Sequence, residues 1–372
     1  MSAAGPSQGA KAPSGGSAPC EAGERGGNIR VAPGILLCNL GTPAAPTPRA
    51  LRRYLREFLS DRRVVELPRW LWLPVLHGVI LRRRPAQSAA RYRQIWLPEG
   101  SPLLVWSNQQ AALLGNCLTE RGQAAHVRAA MRYGAPSIAS GLDELQALGC
   151  TRILIVPMYP QYAGSTTASA IDAVALWTRR VRRVPELRWI GDFHDDPGYI
   201  GALAAQVRRA WASDGPPDKL VLSFHGLPER MSQQGDPYPA QCHATARLLA
   251  AQLGLADEAW AVTFQSRFGG ARWLQPATQT VLEQLGRAAA GQYQARRVDV
   301  LCPGFVADCL ETLEEIALEN RAAFHKAGGG AFRYIPCLND DPAWIAALAD
   351  LVQRHLQGWP AANQEQADGA AA

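Results

Sequence analysis

No run of about eighteen uncharged apolar residues occurs in this chain of 372, so no segment is long and apolar enough to cross a bilayer as a helix. Neither a Gly-x-Gly-x-x-Gly turn nor a Gly-x-x-x-x-Gly-Lys-Ser/Thr loop is present, so the usual cradles for a dinucleotide or a nucleoside triphosphate are missing. The eight cysteines (Cys20, Cys38, Cys117, Cys150, Cys242, Cys302, Cys309 and Cys337) include no Cys-x-x-Cys pair. That argues against a zinc knuckle and suits a reducing compartment. Residues 1–30 are rich in Ala, Gly, Ser and Pro and have no apolar run that could form the core of an export signal. They read as a disordered tail, and the cytoplasm is the expected location. Residues 359–372 share that character and read as a second tail.

What is present is a globular composition, 47% apolar and 19% charged, sufficient for two domains with cores of their own. The formal charge of +6 is unevenly placed. Between Arg49 and Arg93 twelve arginines face only Glu57, Asp61 and Glu66, so this stretch is strongly basic and the remainder slightly acidic. Inside it, residues 67–84 run through Trp70, Trp72 and several leucines and end on Arg82, Arg83 and Arg84. Two readings fit this segment. It is either an interfacial lip that dips into lipid headgroups, giving peripheral association with an inner membrane, or a buried helix with a solvated basic end. Nucleic acid is not an expected partner, because tryptophans among leucines do not form a spaced stacking platform.

Short apolar runs followed by Gly/Pro turns and helical patterns predict an α/β fold with parallel sheets. Strands are expected at 34–40, 152–157, 219–224 and 298–301. They fall into two pairs: residues 34–43 resemble 219–228 in running from a strand into Leu-Gly-Thr-Pro or His-Gly-Leu-Pro, and 153–157 resemble 298–303. This weak internal repeat predicts two similar halves, 31–185 and 186–336, with 337–358 as a helix packing back on the core. Ligands of such sheets sit at the strand carboxyl ends, in a cleft between the halves.

Three groups of residues near those ends could carry chemistry. His225 directly follows a strand and can serve as base or metal ligand near neutral pH. Asp308, Glu311, Glu315 and Glu319 follow another strand at spacings of three, four and four, which stacks carboxylates along one helix face. Such a row is either an ordinary solvated face or a path of hard oxygen ligands for a divalent ion. An aromatic and basic set (Arg132, Tyr133, Tyr159, Tyr162, and 267–273 ending in Trp273) could wall a flat ligand with Arg132 pairing to its carboxylates. The hydroxyls of Ser165, Thr166 and Thr167 are expected simply to cap the following helix.

Eight ordered blocks then carry a resemblance: Leu-Cys-Asn-Leu-Gly-Thr-Pro (37–43), Gly-Ser-Pro-Leu (100–103), Met-Arg-Tyr-Gly (131–134), Pro-Met-Tyr-Pro-Gln-Tyr (157–162), Ser-Phe-His-Gly-Leu-Pro (223–228), Phe-Gln-Ser-Arg-Phe-Gly (264–269), Trp-Leu-Gln-Pro (273–276) and the stretch 302–315. Over about 31–358 the chain resembles the ferrochelatase family. The resemblance implies a chelatase-like fold of two Rossmann-like domains around a porphyrin cleft, and insertion of Fe²⁺ into protoporphyrin IX as the last step of haem synthesis. It implies His225 and Glu311 as catalytic residues and metal ligands, His225 either accepting a pyrrole proton or binding the ion. Glu315, Glu319 and Asp308 would form the metal path, and Arg132, Tyr133, Tyr162, Trp273 and Phe305 the porphyrin pocket, with 67–84 as its lip. Fe²⁺ enters as a substrate and no tightly bound cofactor is expected; a monomer is the expected state. Two departures matter. Cys309 stands where many members have histidine, and no cysteine follows Cys337, so the C-terminal iron–sulfur cluster of some members is not expected. Rival readings are a coproporphyrin or other tetrapyrrole chelatase and a porphyrin carrier without turnover.

Overall fold

The computed structural model describes residues 32–287 and 296–359; the expected tail 1–30 and residues 360–372 lie outside them. Eight strands form two parallel four-stranded sheets. The first holds β1 (Gly34–Thr42), β2 (His126–Gly134), β3 (Arg152–Pro157) and β4 (Glu186–Trp189) in the order β2-β1-β3-β4. The second holds β5 (Lys219–His225), β6 (Trp260–Gln265), β7 (Arg297–Leu301) and β8 (Ala331–Ile335) in the order β6-β5-β7-β8. The two orders are the same, so β1 corresponds to β5 and β3 to β7, as the internal repeat implied. The first sheet continues through β4, four residues past the boundary expected at 185.

The central strands form because they are apolar without interruption and are covered on both faces: Ile35, Leu36, Leu37 and Cys38 are all buried, as are Leu220, Val221 and Leu222. At the carboxyl ends of β1 and β5 a glycine lets the chain turn hard against its neighbour. A methyl group on Gly41 would run into the Tyr133 carbonyl, and one on Gly226 into that of Gln265.

Each half ends in a helix that opens on Asp-Pro. Asp196 caps Pro197–Trp211 by accepting from the Gly198 and Tyr199 N–H groups at 2.9 and 3.0 Å. Asp341 caps Pro342–Leu356 by accepting from those of Ala343 and Trp344 at 2.9 and 3.3 Å. The two helices pack on each other and exchange partners. Pro342–Leu356 lies on Pro102–Glu120 of the first half, and Pro197–Trp211 lies on Tyr238–Leu253 of the second. Arg354 pairs with the Asp196 cap and Arg209 with the Asp341 cap. One apolar core runs from Ile35 and Val156 through Tyr199 and Leu203 to Phe224, Trp344 and Leu348. It extends to Trp359, placed by its sequence in the expected second tail: this ring is buried, lies under Arg188 at 4.3 Å, and donates to Glu186 at 2.6 Å.

The 67–84 segment is helical from Arg69 on, through a one-turn π-helix at Leu76–Ile80 into Leu81–Ile95. It is not a buried helix. Leu76 and Leu81 anchor it, while Trp70 is 75% exposed and Leu67, Leu71, Val75 and Val79 are exposed with it. No helix among the described residues is long and apolar enough to cross a membrane.

Candidate active site

A cleft of about 1220 Å³, open mouth included, lies at the carboxyl ends of β1, β3, β5 and β7, lined by both halves. His225 is the last residue of β5 and enters it beside Gly226. Its Nδ1 lies 2.7 Å from the Gly226 carbonyl oxygen, which can only accept. The neutral ring therefore carries its proton on Nδ1 and leaves Nε2 with a free lone pair.

Glu311 also lines the cleft and begins a ten-residue stretch, Glu311–Asn320, wound with i→i+5 hydrogen bonds, a π-helix of a length that is uncommon. Its carbonyl oxygen is held by the Gln265 side-chain amide at 2.8 Å. Glu315 sits deeper: the Ser266 N–H donates to its Oε1 at 2.7 Å and the Ser266 hydroxyl to its Oε2. Burial pushes the Glu315 carboxyl up, and the two Ser266 donors pull it back only in part. Glu319 lies at the surface, paired with Arg91 at 2.7 Å. Between them Glu314, absent from the expected row, is only 3% exposed. Its Oε1 is 3.7 Å from Arg91 and its Oε2 is buried without a hydrogen-bond partner. Burial, with Glu319 beside it, pushes the Glu314 carboxyl up to about 7 against the pull of Arg91.

Four other expected site residues lie outside the cleft lining. The Asp308 carboxylate is buried and accepts from Thr312 at 2.9 Å, Tyr334 at 2.5 Å and Asn339 at 2.7 Å. It braces the turn after β7 rather than extending the row. Arg132 and Tyr133 lie behind the wall: the guanidinium donates to Asp61 at 2.5 Å and to Ser169, and the phenol joins the same two residues at 2.8 and 3.0 Å. Burial opposes the Asp61 charge, but donation from Ser169, the Arg63 backbone and Tyr133, with Arg132 alongside, holds its carboxyl below the usual range. Tyr162 is half-buried outside the cleft lining, its backbone N–H donating to Gln241 at 2.6 Å.

Trp273 and Phe305 do line the cleft, joined by Tyr54, Tyr92 and Phe268. The Trp273 indole N–H donates to the Phe268 carbonyl at 3.1 Å. Cys309 is buried there too, its thiol pushed well up by burial. Ser165 and Thr166 face the cleft instead of capping: the helix Ser169–Thr178 has no side-chain cap, and a one-turn π-helix at Gly164–Ala168 carries both hydroxyls into the lining. Away from the cleft, Asp192, His194 and Asp195 bring one donor atom each within 4.8 Å of the others.

The family model described as Ferrochelatase matches residues 32–356. The chain belongs to the ferrochelatase family. The family's reaction is metal insertion into a porphyrin. Proteins named ferrochelatase from Methylibium petroleiphilum and Polaromonas sp. are each 60% identical to it, over 92% and 88% of this chain and 93% and 88% of theirs. One from Bordetella pertussis is 55% identical over 89% of this chain and 90% of its own. Among solved structures, SirB from Bacillus subtilis with Fe³⁺ superposes with a TM-score of 0.51 at 12% identity, covering 90% of this chain and 98% of that one, a likeness of fold alone.

Proposed function

We propose that the cleft inserts Fe²⁺ into protoporphyrin IX, with His225 Nε2 taking a pyrrole proton and Glu311 receiving the metal. The observation that carries this is the bond from Nδ1 to the Gly226 carbonyl, which presents Nε2 as a base in an aromatic-walled cleft. Trp273, Phe305 and Tyr92 hold the macrocycle edge and face, favouring the puckered ring of the transition state. Glu315 and Glu319 convey the ion from the surface towards Glu311, a task for hard oxygen ligands. The reaction transfers protons and a divalent ion and needs no resident cofactor. Tyr162, Arg132 and Tyr133 act on the porphyrin only through the walls they support.

Protoporphyrin, with two carboxylates, is preferred over coproporphyrin, with four, because the mouth is apolar. Leu67, Trp70, Leu71, Val75 and Val79 are exposed beside Arg69 and Arg82–Arg84, which suits a monomer docked on the cytoplasmic face of an anionic membrane, where a poorly soluble dicarboxylic porphyrin partitions. The test is an anaerobic assay with Fe²⁺ and either porphyrin, following loss of free-porphyrin fluorescence. Turnover is expected with protoporphyrin. Turnover with coproporphyrin alone moves the enzyme to another substrate, and binding without turnover of either makes the protein a carrier. In the same preparation, Trp70→Ser with Leu71→Ser should lower sedimentation with anionic vesicles by about tenfold.

A further inference from the structure

At the carboxyl end of β6 the chain enters an unusual turn. Ser266 has φ of +62°, one of two non-glycine residues with positive φ among the described residues, and the other is Asn339. Asparagine tolerates that region; serine has little reason to occupy it unless its surroundings hold it there. Here they do. The turned backbone aims the Ser266 N–H at Glu315 Oε1, 2.7 Å away, and the hydroxyl at Oε2, so both oxygens of one carboxylate are gripped by one residue. The preceding residue holds the same helix by its backbone: Gln265 donates to the Glu311 carbonyl at 2.8 Å while accepting from Ser223 on β5 at 2.7 Å. Two consecutive residues therefore register the acidic stretch against the strand that carries His225. Beyond Ser266 the loop is exposed to Arg272, and its Phe268 lies under Arg84 of the lip at 5.6 Å.

We propose that Ser266 is a positioning residue for metal insertion: it clamps both oxygens of Glu315, so that a divalent cation has to displace a donor to bind there and is passed on rather than retained. The inference rests on the reading that Glu315 lies on the metal route. A conducting site must bind firmly enough to admit an ion and weakly enough to release it. An unclamped, largely buried carboxylate beside Glu311 would hold a divalent ion too well. Donors on both oxygens lower that affinity without removing the charge.

The test is Mn²⁺ binding to porphyrin-free protein by calorimetry, with metal KM, kcat and porphyrin affinity measured separately, on Ser266→Gly, Glu315→Gln and the double variant. Glycine suits a positive φ, so Ser266→Gly keeps the turn and loses only the hydroxyl. It should bind Mn²⁺ about fivefold more tightly, with a lower metal KM, a lower kcat and unchanged porphyrin affinity. Glu315→Gln should weaken Mn²⁺ binding and erase the effect of the glycine. Should the glycine loosen the loop, seen as weaker porphyrin binding, Ser266→Ala repeats the measurement. Mn²⁺ affinity unchanged or weakened in the Ser266 variants, with Glu315→Gln still weakening it, overturns the clamp alone, as does a glycine effect that persists without Glu315. Wild-type metal affinity and KM in Glu315→Gln overturn the metal-route reading and the clamp with it.

Discussion

The two halves share one strand order but place different chemistry at corresponding points. Where β1 carries Asn39, Leu40 and Gly41 near its end, the chain at the end of β5 carries Phe224, His225 and Gly226. After β3 a single π-turn, Gly164–Ala168, sends the hydroxyls of Ser165 and Thr166 into the cleft; after β7 a two-fold longer π-wound stretch, Glu311–Asn320, sends carboxylates. The apolar lip and the hydroxyls of Ser165 and Thr166 come from the first half, His225 and Glu311 from the second, and the aromatic walls from both, Tyr54 and Tyr92 from the first and Trp273 and Phe305 from the second. The halves therefore divide the polar groups of the cleft between them, while both contribute to its aromatic walls.

The sharpest test of that division is at the strand ends. His225→Ala should cut insertion about a thousandfold with porphyrin affinity retained, as loss of a positioned base does. Leu40→Ala, at the corresponding point of the first half, should cost less than about tenfold, because only an apolar contact of ~1–2 kcal/mol is removed. Comparable losses at both positions, in steady-state assays, would erase the distinction.

A smaller effect separates two buried carboxylates. Asp61 in the first half has four donors and a lowered pKa. Its contribution to stability is present above the unfolded value near 3.8 and lost as pH falls through the folded one, so Asp61→Asn should destabilise at pH 7 and lose that effect in strong acid. Glu314 in the second half has the opposite sign. Its folded value near 7 lies above the ordinary 4.5, so the fold favours its neutral form and stability is lost as pH rises between the two. Glu314→Gln should therefore raise stability at pH 8 by up to roughly 3 kcal/mol and change little at pH 4, read from urea unfolding.

The smallest expected effect is one that should not distinguish the halves at all. Asp196→Ala and Asp341→Ala each remove a cap and an arginine partner, and each should cost about 1 to 2 kcal/mol. Unequal costs would mean that the repeat is less symmetric in energy than in strand order.

What the sequence made legible follows burial. The central strands β1, β3 and β5 carry continuous apolar runs and stand out, and β7 does so despite Asp299 because Val298, Val300 and Leu301 around it are buried. The other four do not: β2 carries Arg128 and Arg132, β4 carries Glu186 and Arg188, β8 carries Arg333, and β6, Trp260–Gln265, is apolar only in part, because an edge strand is covered unevenly and its pattern is broken by polar residues. At the cleft, His225 was legible because it ends a central strand, and Glu311 because it opens the acidic row in the segment that follows another. The surroundings of Arg132 and Asp308 were not legible because most of their partners lie far along the chain, Asp61 at a separation of 71 and Asn339 at 31, with only Thr312 close to Asp308. Glu314 escaped because its spacing suggests another face in an α-helix, and only the wider winding of 311–320 brings it inward beside Arg91. Ser165 and Thr166 look like caps for the same reason, since a π-turn delays the helix start by a turn.

The exchanged terminal helices have a consequence for synthesis. Helix Pro102–Glu120 belongs to the first half, yet Pro342–Leu356, which packs on it, is made only after both sheets, so a nascent first half waits without that cover until the second half has been made.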